Sequence, residues 1–412
     1  FMLAGSFVGI VGICQFMGYD FLGLREGLMQ SIRNVYISTL GNIDIFASFL
    51  CVLVPVAAGA YISSEGKESI VIRITAVIAV LTGTGAVIIS NANLAYAGVG
   101  GAIWASYRGK IKEFADVCLV MACGVLAISI ILGQTDSGYS ELDGLSYFVS
   151  DSRMVWIVSV VVLVVWAAIR LASKWTVKFR GKAALAVSVG VSLAGIVAVV
   201  IYAAHNHMGI FSFEDSWGNY RGFVWRRLME AYSDFSVPQR LFGYGNESVK
   251  AIMTDRYYDD MMNTVGVIYD NAHNEYLQYL ITTGIFGAVS YVGLLVTTGG
   301  VLVRTAVSGA VMNENESMSS QSAGKRSKEK AASRDSRTVR GSKTGTGLEC
   351  LLGYAEDEGS MIAVLLGITG YAVQAFVNLN QSLTTPYIFL LIAMAGGLCR
   401  RYICQFADGG RK

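Results

Sequence analysis

Asn271-Ala272-His273-Asn274-Glu275-Tyr276-Leu277-Gln278-Tyr279-Leu280 runs directly into ITTGIFGAVSYVGLLVTTGGVLV, residues 281–303, and the run closes on Arg304. Between Glu275 and Arg304 there is no charged side chain. About 20 apolar residues suffice to cross the roughly 30 Å hydrocarbon core of a bilayer, so this is a span with a titratable mouth. Nine further apolar segments repeat the pattern, near 1–19, 45–62, 70–88, 91–107, 115–132, 154–170, 183–204, 360–379 and 386–404. In lipid the backbone must satisfy its own hydrogen bonds, and separate apolar runs of this length do so as helices. The expected fold is therefore all-α, a polytopic helical membrane protein with about ten transmembrane helices.

Composition agrees. The chain is 53% hydrophobic and 15% charged, with three prolines and a mean hydropathy of +0.50. A soluble domain rarely looks like this. Residue 1 is a Phe inside an apolar run with no secretory leader before it, so further spans are expected upstream.

Lysine and arginine resist translocation, and their placement sets the orientation. Arg108, Lys110 and Lys112, then Lys174, Lys178, Arg180 and Lys182, then Lys325 to Lys343 fall on alternate sides of the span count that make them all cytoplasmic. Residues 20–44, 133–153, 205–278 and about 380–385 are then outside. Cys14, Cys51, Cys118, Cys123, Cys399 and Cys404 lie in or beside spans and Cys350 in a cytoplasmic loop, leaving the outer loops no disulfide to form. No zinc-type spacing and no phosphate loop of the P-loop type is present, and neither a metal nor a cofactor is expected.

The expected divisions are helices with short loops over 1–204, an outer loop over 205–278, a span over 279–304, a cytoplasmic stretch over 305–359, and two spans with a tail over 360–412. Residues 305–359 are rich in Ser, Lys, Arg, Gly and Glu, and read as disordered. Their basic half either touches anionic lipid or serves only as a solvated topology anchor. With no aromatic residues between the charges, nucleic-acid binding is not expected.

Loop 205–278 mixes charges with Trp217, Tyr220, Trp225, Tyr232, Tyr244, Tyr257 and Tyr258, and is expected to fold. The spacing from Tyr220 to Tyr232 predicts a helix with Arg221, Trp225 and Leu228 on one face. Arg221 packed against the ring at i+4 can present its planar fork to a phosphate. The other reading is an interfacial helix whose Trp and Arg sit at the headgroups. Leu241-Phe242-Gly243-Tyr244-Gly245-Asn246 reads as a tight turn. Along a continued helix His273 would share a face with Leu277 and Leu280, with Asn274 and Gln278 on the neighbouring one. A neutral imidazole there can take up a proton, or can simply reach toward the interface. His205 and His207 also sit where a span emerges.

Four stretches carry a family resemblance: GNIDIFASFLCVLVP (41–55), YRGFVWRRLMEAY followed by LFGYGNES (220–248), NAHNEYLQYLITTGIFG (271–287) and FVNLNQSLTTPYIFLLIAMA (376–395). The chain resembles the O-antigen ligase and O-antigen polymerase family of bacterial membrane glycosyltransferases. The resemblance implies metal-independent transfer of a glycan from a polyprenyl-diphosphate-linked oligosaccharide to a glycan or lipid acceptor at the outer membrane face, in contact with membrane lipid. It implies His273 as the base and Arg221 at the departing diphosphate. Arg240 and Arg256 are further diphosphate candidates by sharing the loop, and Trp225 and Asn274 are expected to support the site. Where the family has an arginine-bearing turn, this chain reads Ser90-Asn91-Ala92-Asn93-Leu94, so Arg153 substitutes or the donor is held differently. A polysaccharide polymerase is favoured over a ligase onto a lipid core, wall polymer or protein. A lipid-linked glycan transporter is the alternative from another class, and against it stands the near absence of ionisable residues inside the spans.

Overall fold

The computed structural model describes residues 1–29, 33, 37–64, 70–90, 110–132, 152–172, 190, 197, 201, 205, 214–331, 346–378 and 385–409, with backbone alone over 306–331, 346–359 and 401–409. The expected span 91–107, most of 183–204, His207, Asn91 and the loop 133–151 lie outside the described residues. Among the described residues there is no strand.

The helices are α1 (Met2–Phe16), α2 (Ile43–Ser63), α3 (Ile70–Ile89), α4 (Ile111–Leu132), α5 (Ser152–Ala172), α6 (Trp217–Ser233), α7 (Val237–Phe242), α8 (Ser248–Thr264), α9 (Glu275–Ala331), α10 (Thr346–Gln374) and α11 (Thr385–Gly409). The protein is a polytopic helical membrane protein, and α2, α3, α4 and the part of α9 up to Thr305 are long and apolar enough to cross a bilayer. Of these α2 is central: 72% of its span is buried, against 22% for α9. Lipid tails are as apolar as leucine, so close packing rather than hydrophobic transfer holds helices together there. Pro55 cannot donate to the carbonyl of Cys51, and Gly370 of α10 fills that place, so close that a Cβ on it would lie 2.1 Å from the oxygen.

Side chains from the ends of α2, α3, α4 and α5 meet. At one end of α2, the Asp116 carboxylate accepts from Trp166 Nε1 (2.8 Å) and Tyr61 Oη (3.0 Å) and pairs with Arg170, while Arg73 lies over the Tyr61 ring. At the other end are Asp44 and the unit formed by residues 214–283, called the outer unit here because the loop count expects it outside. Tyr61, Arg73, Asp116 and Arg170 all come from span ends assigned to one side by the loop count.

Two differences from the sequence reading concern α9. Its backbone remains helical to Ala331, where composition led us to expect disorder; the Ala, Met, Glu and Lys of 306–331 are good helix formers even without a core to bury. More consequential is a break at Gly284 (φ 69°, ψ −170°) inside the expected span 279–304. Beyond it the chain doubles back, so that Tyr279 stacks on Tyr291 with centroids 4.3 Å apart and Tyr276 lies 6.0 Å from the same ring. In an unbroken helix residues 12 apart would be separated by about 18 Å. The piece that crosses is therefore 285–305, about 30 Å long at 1.5 Å per residue, and 275–283 is a separate short helix.

That short helix completes the core of the outer unit. Phe223, Val224 and Leu228 of α6, Ile252, Met253 and Met261 of α8, and Leu277 and Ile281 are buried together. In water each such side chain contributes about 1.5–3 kcal/mol, so this cluster is a core of its own beside those of the spans.

Candidate active site

The site is assembled from the starts of three helices. At α2, Asn42 is the N-cap; its side-chain oxygen accepts from the N–H groups of Asp44 (2.7 Å) and Ile45 (3.3 Å). Asp44 thus stands in the first turn, where a carboxylate is favoured by the helix dipole. Buried Asn378 fixes this turn from the far end of the chain, donating to the Asp44 carbonyl and to Ser48 Oγ, both at 2.7 Å.

At α6 the chain enters through three successive left-handed residues, Gly218 (φ 61°), Asn219 (φ 57°) and Tyr220 (φ 64°), so regular helix begins at Arg221 rather than before it. For non-glycine residues this conformation costs about 1–2 kcal/mol each, and Tyr269 Oη holds it by donating to the Asn219 carbonyl at 2.7 Å. The turn delivers Arg221, whose Nη2 meets Asp44 Oδ1 at 3.2 Å, across 177 residues of sequence. Its Nε and Nη1 donate to nothing among the described residues. One helical turn on, Trp225 is buried between Trp217 and Phe376, with ring centroids at 5.2 and 5.5 Å, and its Nε1 donates to the Ala272 carbonyl at 2.7 Å.

That carbonyl immediately precedes His273. Asn271 Oδ1 accepts from the His273 N–H (3.1 Å) and Gln278 Oε1 from the Ala272 N–H (2.9 Å). Buried Asn274 is the N-cap of α9, accepting from the Leu277 N–H at 3.0 Å. His273 is therefore not on a helical face with Leu277 and Leu280, as periodicity suggested. It is left-handed (φ 45°) and turned off the helix start, because the Asn271 and Asn274 side chains take the N–H groups that helix would otherwise use. Its Nδ1 is buried without a hydrogen bond and lies 3.8 Å from Asp44 Oδ2, and its ring packs 5.4 Å from that of Tyr269. Burial pushes the imidazole below its ordinary pKa of 6.5 and the Arg221 guanidinium pushes the same way, against the weaker pull of Asp44 and Asp270. The ring is neutral near pH 7 and its side chain 21% exposed, with Nε2 the nitrogen not engaged with Asp44.

Of the residues singled out in the sequence, His273, Arg221, Trp225 and Asn274 come together. Arg240 and Arg256 do not: Arg240 donates to the Ser233 carbonyl and Arg256 pairs with Asp234 at 3.2 Å. Both groups gather at the far end of α6, about 18 Å along the axis from Arg221 at 1.5 Å per residue. Within α6 it is Arg227 that lies over aromatic rings, those of Phe223 (5.2 Å) and Tyr257 (5.4 Å). Asp44 is the residue sequence reasoning missed; its signal was an acid inside GNIDIFAS, at the outer end of a span otherwise without charge. Each of the four resembling stretches supplies a piece: Asp44, then Arg221 and Trp225, then His273, then Phe376 and Asn378.

No curated protein matches the chain. A family model described as O-antigen ligase matches residues 142–292, which include Arg221, Trp225 and His273 but neither Asp44 nor Asn378. Over residues 142–292 the chain is thus similar to the O-antigen ligase family, the one that the four stretches resemble.

Proposed function

We propose that the protein is a membrane glycosyltransferase that moves a glycan from a polyprenyl-diphosphate donor to a hydroxyl acceptor at the extracytoplasmic face of the bacterial cytoplasmic membrane. One observation carries the reading: Arg221 and a neutral His273 share the Asp44 carboxylate at the mouth of the helical domain. A general base must be unprotonated and reachable, and Nε2 of His273 is both. A diphosphate leaving group needs fixed positive charge, and the two unengaged donors of Arg221 offer it in a planar fork.

In this mechanism the acceptor oxygen bonds to the anomeric carbon as the carbon–oxygen bond to the diphosphate breaks. The acceptor proton passes to Nε2, and the developing negative charge on the diphosphate falls to Arg221. Asp44 faces the opposite ring nitrogen and steadies the imidazolium that forms. Trp225 and Asn274 hold the backbone on either side of His273 and so set the direction of its ring. The outer side is supported by the loop count, which gathers Arg73 and Arg170 at the end of α2 remote from Asp44.

Polymerisation is the favoured use of this chemistry. The deciding experiment is His273→Ala in purified protein and in a deletion strain. Loss of transfer by about 10²- to 10⁴-fold with normal insertion supports a base. Short glycans that remain lipid-linked indicate a polymerase, and full-length glycans that never leave the carrier indicate a ligase. Lipid-linked glycan accumulating on the cytoplasmic face indicates a transporter and overturns the reading.

A further inference from the structure

The break in α9 strips the helix 275–283 of the donors that would have capped its last turn. The loop after α7 replaces them: the Tyr244 N–H donates to the Ile281 carbonyl at 2.9 Å and the Gly245 N–H to the Thr282 carbonyl at 3.2 Å. Contact is close enough to require two glycines. A Cβ on Gly243 would lie 2.1 Å from the Thr282 oxygen, and one on Gly284 2.4 Å from the Leu241 carbonyl. Thus α7 is pinned to the point where the span 285–305 begins, and Phe242 packs on Phe286 with ring centroids 5.5 Å apart.

With no buried residue and six positions, α7 is too short to persist without support. Ser236, whose N–H donates to Gln239 Oε1 (2.9 Å), closes its start. Its apolar side chains point outward: Val237 is 68% and Phe242 69% exposed. The same surface continues down the span through Phe286, Val289 and Val296, at 55%, 64% and 66%. Elsewhere the outer unit exposes Arg226, Glu230, Asp255, Asp259 and Asp260 interleaved with Met229, Tyr258, Met262 and Val267. What sets Val237 and Phe242 apart is continuity: through the contact of Phe242 with Phe286 their patch runs into the exposed apolar stripe of the span 285–305, and a contiguous apolar surface of this kind calls for a cover.

We propose that α7 is a membrane-docking helix, with Val237 and Phe242 immersed in bilayer lipid at the headgroup–acyl boundary. It thereby ties the break at Gly284, and the short helix that carries His273 at its start, to a set height above the bilayer. The proposal does not depend on the reaction the site performs. The sequence placed a possible interfacial helix at 220–232; the structure moves that role to α7, because Trp225 is spent inside the core.

The test uses the full chain, cysteine-free, in vesicles of phosphatidylethanolamine and phosphatidylglycerol, with a bimane label at Val237→Cys, Phe242→Cys, Val289→Cys or Asp259→Cys. Nitroxide carried high on the acyl chain should quench the labels at 237, 242 and 289 at least threefold more than the label at 259, and aqueous iodide should show the reverse order. Iodide quenching at 237 and 242 equal to that at 259 overturns the proposal. So does protection from both quenchers, which would mean that a second protein copy covers the patch. If Phe242→Cys fails to fold for want of its contact with Phe286, Val237→Cys, which removes only exposed methyl groups, decides alone.

Discussion

Replacing Arg221 with lysine keeps the charge and removes the fork, and the structure sets the size of the expected effect. Arg221 spends Nη2 on Asp44 and has Nε and Nη1 to offer. A lysine ammonium in the same place is drawn to Asp44 and cannot present a parallel pair of donors to a diphosphate. Hydrogen bonds to charged groups contribute about 1.5–3 kcal/mol each. Losing one to two of them predicts a fall in turnover of about 10²-fold, close to the 10²- to 10³-fold typical of deleting one stabilising donor. Folding should barely respond. The Arg221–Asp44 pair is part exposed, with side-chain accessibilities of 22% and 29%, and such pairs contribute about 1 kcal/mol or less. The control is Arg227→Lys, since Arg227 bonds Glu230 and Asp260 on the outer surface and lies over two rings. Turnover of a lipid-diphosphate glycan would be followed for both variants in the same vesicles, with thermal unfolding alongside. Equal, near-wild-type rates for Arg221→Lys and Arg227→Lys would refute the assignment of Arg221 to the leaving group.

Because burial and Arg221 hold His273 below its ordinary pKa, the acid limb of kcat/KM against pH should lie below 6.5. Asp44→Asn removes a charge that favours the imidazolium and should move that limb to lower pH, whereas Arg221→Gln should move it up; a shift of opposite sign in either would sink the electrostatic account. Activity is expected to persist in EDTA, and complete loss restored by magnesium or manganese would transfer the leaving-group role from arginine to a metal. For topology, cysteines at exposed Asn246 and at Ser327 in a cysteine-free background should react with an impermeant thiol reagent at 246 alone in intact cells. Labelling at 327 and not at 246 would invert the orientation.

How much of this was legible in the sequence depended on the range of the interaction involved. The apolar helices α2, α3, α4 and the later part of α9 were legible because membrane crossing depends on local apolar length, a property of contiguous segments. The stretches around His273 and Arg221 drew notice for a similar reason: titratable and guanidinium side chains at span mouths stand out against an apolar chain. Even the helix expected from Tyr220 to Tyr232 followed from its period, with Trp225 and Leu228 on the buried face as spaced, although left-handed Tyr220 stands just before its regular part. The tertiary structure alone decided what meets what. Asp44 reaches Arg221 only because α2 and the outer unit pack together, and no periodicity encodes a contact over 177 residues. Arg240 and Arg256 share the loop with Arg221 yet sit at the other end of α6, since a rigid helix separates residues that sequence merely places in one segment. His273 left the helical face because two asparagine side chains competed for its neighbouring N–H groups. The break at Gly284 looked like one more small residue in a span until the loop after α7 supplied the donors that make such a break stable. Local hydropathy and propensity determine which elements form; long-range packing and side-chain capping determine where they bend and which chemistry their ends bring together.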